Sequence, residues 1–443
     1  MPKYLLENYG CRASQADGAA IEASLARAGY STGQGDADVV VLNTCTVTAS
    51  ADTEVRAAVR RIQKSHPGAR IVVTGCYAQR APEEVAALPG VSLVVGNSRK
   101  SDLVQLLEEE PIPYHGAIHV GDIFEATEFF APITEGPLSD RSRPNLKIQD
   151  GCNNRCSFCI IPFVRGRSRS ARVDDVIEQV RHLASRYAEV VLTGINLGRW
   201  GREPGSKLRL ADLVSMLLEH TDVARLRLSS VEPMDWSDDL LTLVADSPRI
   251  AKHVHAPLQS GSDTVLRRMH RKYRPRHYED RIRKAREWVP DAAIGADVMT
   301  GFPGESEDEF QSSCEFVESL PFTYLHVFPY SERPGTPAAS ARQVPQHVRK
   351  ERARVLQAIA TRKNREFRER AVGRTFEAAV LQDPRFGLTS NYLRVEFAAP
   401  RSSRTLVPVE IGGLSETGLR EVAPFPIVAG QQHECGHGLN AVP

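Results

Sequence analysis

Two hydrophobic periods alternate through the first hundred residues. Residues 3–8, 37–42, 70–74 and 91–95 are short apolar runs with the look of buried strands. Between them Ile21, Leu25 and Ala28, then Val55, Val59 and Ile62, and finally Leu103, Leu106 and Leu107 repeat at helical spacing. Strands alternating with helices predict an open parallel α/β domain over residues 1–110. Residues 111–143 mix proline, glycine and isolated apolar positions without a period, which predicts a linker with at most one short strand. The alternation then resumes. Six strands are expected at 145–149, 189–193, 226–229, 253–258, 292–299 and 324–328, with helical stripes such as Val173, Val176, Ile177, Val180 and Leu183 between them. Six β/α units predict a partial (β/α)6 barrel over residues 144–372, with its site at the carboxyl ends of the strands. Its last helix should run from Pro345 to near Gly373, with Val348, Val355, Leu356 and Ile359 inward. Beyond it the period shortens to two. Strands at 375–381, 392–397, 405–411 and 419–422 predict a small β-barrel over 373–425, followed by a tail at 426–443.

The 443 residues carry a net charge of only +1, so any polyanion must be held by local patches. Residues 141–172 hold eight Arg or Lys against one acid, 267–286 hold ten, and 343–374 hold ten against three acids. Each is either a solvated face or part of an RNA-facing surface. No apolar run reaches the roughly 18 residues of a membrane helix. The amino terminus does not read as a signal peptide, and eight cysteines are too few for a disulfide scaffold. A cytoplasmic, reducing setting is expected, with thiols free for metal.

Those thiols carry the candidate chemistry. Cys152, Cys156 and Cys159 form C-x3-C-x2-C just past the first barrel strand. Thiolates select zinc, Cu(I) or iron–sulfur clusters. Zinc wants a fourth protein ligand or a catalytic water, and the nearest candidate, His182, sits in a helical stripe. A four-iron cluster on three cysteines leaves one iron open to chelate a small molecule bearing an amine and a carboxylate. A zinc or redox knuckle is the competing chemistry. Cys11, Cys45 and Cys76 each follow a predicted parallel strand, so the sheet edge that binds ligands in open α/β folds can gather them. The alternative is three small buried hydrophobes. Cys314 shares a stripe with Phe310, Val317 and Leu320 and reads as core, whereas His433, Cys435 and His437 lie in the tail.

The string from Ile148 to Pro162, with Phe158 before the last cysteine, resembles the signature of radical S-adenosylmethionine enzymes. Arg165-Gly166-Arg167-Ser168-Arg169-Ser170 extends the resemblance to the methylthiotransferases, and within them to the MtaB branch, which acts on threonylcarbamoyladenosine in tRNA. It spans about Tyr4 to Phe425, and Ser390-Asn391-Tyr392 resembles a TRAM module. The resemblance implies two [4Fe-4S] clusters. One, on Cys152, Cys156 and Cys159, binds and splits S-adenosyl-L-methionine; the other, on Cys11, Cys45 and Cys76, holds the sulfur to be inserted. Gly194 and Asn196 stand where the family's backbone meets the methionyl amine. Ser229, Glu232, Gln259, Asp297 and Gly301 are the further strand-end candidates for cofactor contact, although glycines there also serve plain turns.

The implied partners are tRNA bearing threonylcarbamoyladenosine beside the anticodon and an electron donor of flavodoxin or ferredoxin type, with no membrane. An anionic N6 substituent needs a cation, and Arg165, Arg167 and Arg169 lie close enough in sequence to supply it. The alternatives are isopentenyladenosine in tRNA, an aspartate of a ribosomal protein, or a non-catalytic iron–sulfur RNA-binding module. Thr46-Val47-Thr48 and Arg167-Ser168 occupy positions at which the isopentenyl branch favours other residues.

Overall fold

A computed structural model describes residues 1–33, 35–109, 116–127, 129–130 and 142–423. The amino-terminal domain is a six-stranded, wholly parallel sheet in the order β2-β1-β3-β4-β5-β6. Its strands are β1 (Lys3–Asn8), β2 (Ser31–Thr32), β3 (Val39–Thr44), β4 (Arg70–Gly75), β5 (Val91–Gly96) and β6 (Ala117–His119). Its helices are α1 (Arg12–Arg27), α2 (Ala49–Ser65), α3 (Cys76–Arg80), α4 (Pro82–Ala86) and α5 (Leu103–Glu109). The continuous apolar runs are explained by burial on both faces. Val40 and Leu42 pack toward Val55, Val59 and Ile62, whereas Val39 and Val41 pack toward Ile21, Leu25 and Leu103. The short strand expected in the linker is β6, and it extends this sheet.

The central domain supplies six parallel strands: β7 (Asn145–Asp150), β9 (Glu189–Gly194), β10 (Arg225–Leu228), β11 (His253–His255), β12 (Ala293–Thr300) and β13 (Tyr324–Pro329). A short antiparallel strand, β8 (Arg169–Ser170), is added beside β7 and was not anticipated. The two sheets, β10-β9-β7-β8 and β11-β12-β13, meet where Leu226 bridges Ile250. Outward residues such as Ile148, Leu192, Leu226, Val254 and Val298 pack under α7 (Val173–Ala184), α8 (Leu210–His220), α9 (Asp238–Asp246), α11 (Pro275–Trp288), α12 (Glu307–Ser319) and α13 (Gln346–Glu369). Two short helices, α6 (Ile161–Arg165) and α10 (Asp263–Arg268), follow the cysteine loop and β11. One expectation for α13 is corrected: Val355 is exposed, because the inward stripe runs through Arg349, Arg352, Ala353, Leu356 and Ala360.

The last domain is a closed five-stranded barrel, β14-β15-β16-β18-β17, made of β14 (Thr375–Val380), β15 (Phe386–Thr389), β16 (Arg394–Glu396), β17 (Leu406–Leu414) and β18 (Leu419–Glu421). Sequence patterning missed β15. It also placed Tyr392 in a strand, whereas its backbone is left-handed (φ 64°) and sits in a turn. That turn is seated against the amino ends of the central strands. The Tyr392 ring stacks on His253 at 4.4 Å, and Arg227 donates to the carbonyls of Thr389 (2.9 Å) and Ser390 (3.2 Å). Arg225 reaches Glu377 at 2.6 Å. The small barrel therefore closes the base of the large one. His433, Cys435 and His437 lie outside the described residues.

Candidate functional site

Cys11, Cys45 and Cys76 stand at the carboxyl ends of β1, β3 and β4, three neighbouring strands. Gly10 makes their approach possible: its φ is 105°, and a Cβ there would lie 2.6 Å from the Cys45 Cβ. Cys45 accepts from the Val47 amide at 3.5 Å, and Cys76 from the Asn97 side chain at 3.5 Å. Burial, then the charges of Cys76 and Cys11, push the Cys45 thiol up to about 12, so the three sulfurs feel one another.

The second triad follows β7. Gly151, at φ 68°, turns the chain so tightly that a Cβ would lie 2.0 Å from the Arg167 carbonyl oxygen. Cys152 accepts from the Asn154 amide (3.4 Å) and the Asn196 side chain (3.6 Å), and Cys156 from Arg271 (3.3 Å). Burial, with its neighbours Cys156 and Cys152, pushes Cys159 up to about 12. Two thiolates on one zinc, at about 2.3 Å each, can stand no more than about 4.6 Å apart. Among the described residues neither triad closes to three mutual ligand atoms within 4.8 Å. Three thiolates in each triad are a donor set that fits a four-iron cluster with one iron left open.

Beside the amino-terminal triad lies a buried ionic network. Asp17 of α1 pairs with Lys100 (2.9 Å), Arg165 (3.0 Å) and Lys147. Asp150 pairs with Lys147 (2.9 Å), Arg165 (3.1 Å) and, more loosely, Arg169 (3.9 Å). Burial alone would raise both acids, but the surrounding cations outweigh it and hold each well below the usual carboxylate range. Four cations on two carboxylates leave an excess of two. The charges of Cys76 and Cys11 are among those that hold Arg165 fully protonated against its burial, so the network faces the amino-terminal triad. Anionic thiolates and sulfide would find a compensating field there.

The expected residues divide by placement. Arg165 and Arg169 are turned into this network, Arg169 also donating to the carbonyls of Arg165 and Arg167, while Arg167 is exposed. Asn196 Oδ1, Ser229 Oγ and Gln259 Oε1 are buried without partners at the strand ends, an orphaned polar set that fits a ligand with amine, carboxylate and ribose groups. Gly194 lies over Gln149, whose Oε1 accepts from the Asn196 amide at 2.6 Å. Glu232 pairs with Arg271 at 2.5 Å. Gly301 is accounted for by its turn (φ 66°), by packing on Arg349, and by its amide donating to Glu305. Asp297 faces the barrel interior.

Sequence reasoning missed Arg271, which sits in a stretch read as a charged face yet lies over Tyr273 and against Cys156. It missed Arg333 too, whose bond to Asp52 (2.5 Å) ties the loop after Cys45 to the central domain through Thr46 and Arg80. Most cations of the two later basic stretches are already in intramolecular pairs, for example Arg268–Glu309, Arg281–Asp238 and Arg352–Glu305.

The Radical SAM superfamily matches residues 146–317, and the uncharacterized protein family UPF0004 matches residues 3–96. The threonylcarbamoyladenosine tRNA methylthiotransferase MtaB of Aquifex aeolicus is 38% identical over 92% of this chain and 100% of its own length. A tRNA-2-methylthio-N(6)-dimethylallyladenosine synthase of Desulforamulus reducens is 32% identical over 85% of this chain and 84% of its own. Among solved structures, the radical S-adenosylmethionine methyltransferase TsrM of Kitasatospora setae shares the fold with a TM-score of 0.58 at 16% identity, covering 76% of this chain and 77% of that one. No helix among the described residues is long and apolar enough to cross a membrane.

Proposed function

The chain belongs to the radical S-adenosylmethionine methylthiotransferase family, and from that membership we propose that it places a methylthio group at C2 of N6-threonylcarbamoyladenosine beside the anticodon of tRNA. The observation that carries the reading is the pair of three-thiol sites, with a buried cationic network that faces the amino-terminal one and includes Asp150, two residues before Cys152. When bound, a four-iron cluster on Cys152, Cys156 and Cys159 supplies reductive cleavage of S-adenosylmethionine, and one on Cys11, Cys45 and Cys76 supplies the sulfur.

The remaining work falls to side chains. Asn196, Ser229 and Gln259 offer orphaned oxygens to the cofactor's polar groups, and Arg271, braced by Glu232, donates to the Cys156 sulfur. Lys100, Lys147 and Arg165 hold an anionic sulfur site in a water-poor interior without letting it go uncompensated. The target C–H lies on a base edge, so the adenine must leave its stack and enter the barrel mouth. Exposed Arg155, Arg167 and Arg172 rim that mouth and meet the RNA backbone. A one-electron donor of flavodoxin or ferredoxin type completes the set, in the cytoplasm where tRNA is found.

The test uses anaerobically reconstituted protein and two otherwise matched tRNAs, one bearing threonylcarbamoyladenosine and the other isopentenyladenosine. Nucleoside mass spectrometry should show the 2-methylthio product from the first. Turnover of the isopentenyl tRNA alone would overturn the substrate and leave the reaction class standing.

A further inference from the structure

The inner face of the barrel holds a polar group that neither cluster uses. At inward positions of β11, β12 and β13, one ring nitrogen of His255, a carboxylate oxygen of Asp297 and one ring nitrogen of His326 lie within 4.8 Å of one another. Asp297 Oδ1 stands 3.1 Å from His326 Nδ1, and Oδ2 stands 3.2 Å from His255 Nε2. Below, Tyr324 links His255 (2.8 Å) to His253 (2.6 Å), and Tyr392 seals the stack. This lower layer is closed. The upper one is open, since the His326 side chain is 57% exposed although its strand neighbours Leu325 and Val327 pack outward.

Height and charge say what the opening faces. The Asp297 carbonyl accepts from the amides of Leu258 and Gln259, so the triad sits just beneath the strand end that carries Gln259. A group reaching past the cofactor face into the barrel meets it next. At the floor Arg12, Arg143, Arg225 and Arg227 stand against Glu189 and Glu377, an excess of two cations that Asp297 reduces to one. That field favours an anionic visitor. With Nδ1 committed to Asp297, His326 offers Nε2, which accepts from a hydroxyl when the ring is neutral and donates to a carboxylate when it is protonated.

We infer that His326, oriented by Asp297 and backed by His255, receives the N6 substituent of the extruded adenosine and selects a hydroxyl- and carboxylate-bearing group over a hydrocarbon one. This rests on the proposed function. An isopentenyl group at the same depth would cover His326 Nε2 with nothing to bond, because Nδ1 and both Asp297 oxygens are already engaged. Discrimination of about 10- to 100-fold follows.

The experiment compares wild type with His326→Leu, His326→Gln and Asp297→Asn, each loaded with both clusters, on three matched anticodon hairpins carrying threonylcarbamoyladenosine, isopentenyladenosine or plain adenosine. Turnover is normalised to each variant's own S-adenosylmethionine cleavage without RNA, and hairpin Kd values are taken separately by anisotropy. His326→Leu should lower the threonylcarbamoyl-to-isopentenyl ratio of kcat/KM, and the threonylcarbamoyl-to-adenosine ratio of affinities, by about 10-fold or more. His326→Gln should restore part of both, and Asp297→Asn should fall between. Ratios within twofold of wild type overturn the assignment, and so does an equal loss on all three hairpins. If wild type itself ignores the threonylcarbamoyl hairpin, the proposed substrate fails instead.

Discussion

Glu189→Gln tests whether the charged floor is structural in the way the geometry demands. Glu189 is fully buried and meets Arg227 at 2.8 Å, Arg143 at 3.0 Å and Arg225 at 3.6 Å. Burial would raise its carboxyl, but the three guanidinium groups, Arg227 foremost, bring it from 4.5 down to about 2. That difference corresponds to about 3 kcal/mol in favour of the ionised form. Because the folded value is the lower one, the contribution is present in full above the unfolded value of 4.5 and is lost as pH falls toward about 2. Glutamine keeps the shape and removes the charge, taking the shared carboxylate from buried Arg227 and Arg225 and from partly buried Arg143, a loss of about 3–5 kcal/mol by the usual cost of a broken buried pair. For a domain of this size that is a fall of about 6–20 °C in Tm at neutral pH. Calorimetry of the reconstituted protein would read it. Hydrogen exchange should also quicken at Phe386–Thr389, because Arg227 anchors that strand's end. A variant that melts within about 2 °C of wild type, with the same acid limb, would refute the reasoning.

Replacing Cys152, Cys156 and Cys159 together by alanine should cut iron from about eight to about four atoms per chain and abolish S-adenosylmethionine cleavage. Replacing Cys11, Cys45 and Cys76 should remove the same amount of iron and stop methylthio transfer while cleavage without RNA persists; loss of both activities with central iron intact would contradict separate roles. Arg167→Gln should reduce the slope of log affinity for tRNA against log salt by about 1, read by anisotropy across a salt series.

The positions of the six candidate cysteines at strand ends were legible because continuous apolar runs mark parallel strands, and parallel strands put their carboxyl ends on one edge. The three sheet-edge thiols needed no knowledge of contact, only the count of strands before them. What stayed hidden is mostly charged. Lys147, Glu189, Arg225 and Arg227 alternate with apolar residues, which along a single strand looks like a solvated face. They are instead the inner face of a partial barrel covered by α1 beside β7 and by Tyr392 at its base, and no local pattern reports that cover. Arg271 and Arg333 were lost in the same way, among neighbours that do face water. The His255, Asp297 and His326 cluster escaped because its members come from three strands, and only the register of β11, β12 and β13 aligns them.

The seating of Tyr392 against His253 bears on how chimeric enzymes would behave. A carboxyl-terminal barrel exchanged between relatives would bring a new stopper for the neighbouring cavity along with a new outer surface. Grafts that replace the Ser390-Asn391-Tyr392 turn should shift substrate choice and thermal tolerance together, even when every residue that touches RNA is conserved. Conversely, any shift in the packing of this outer module has a direct route to the His253 and His255 imidazoles, through a single stacked ring and the Tyr324 hydroxyl.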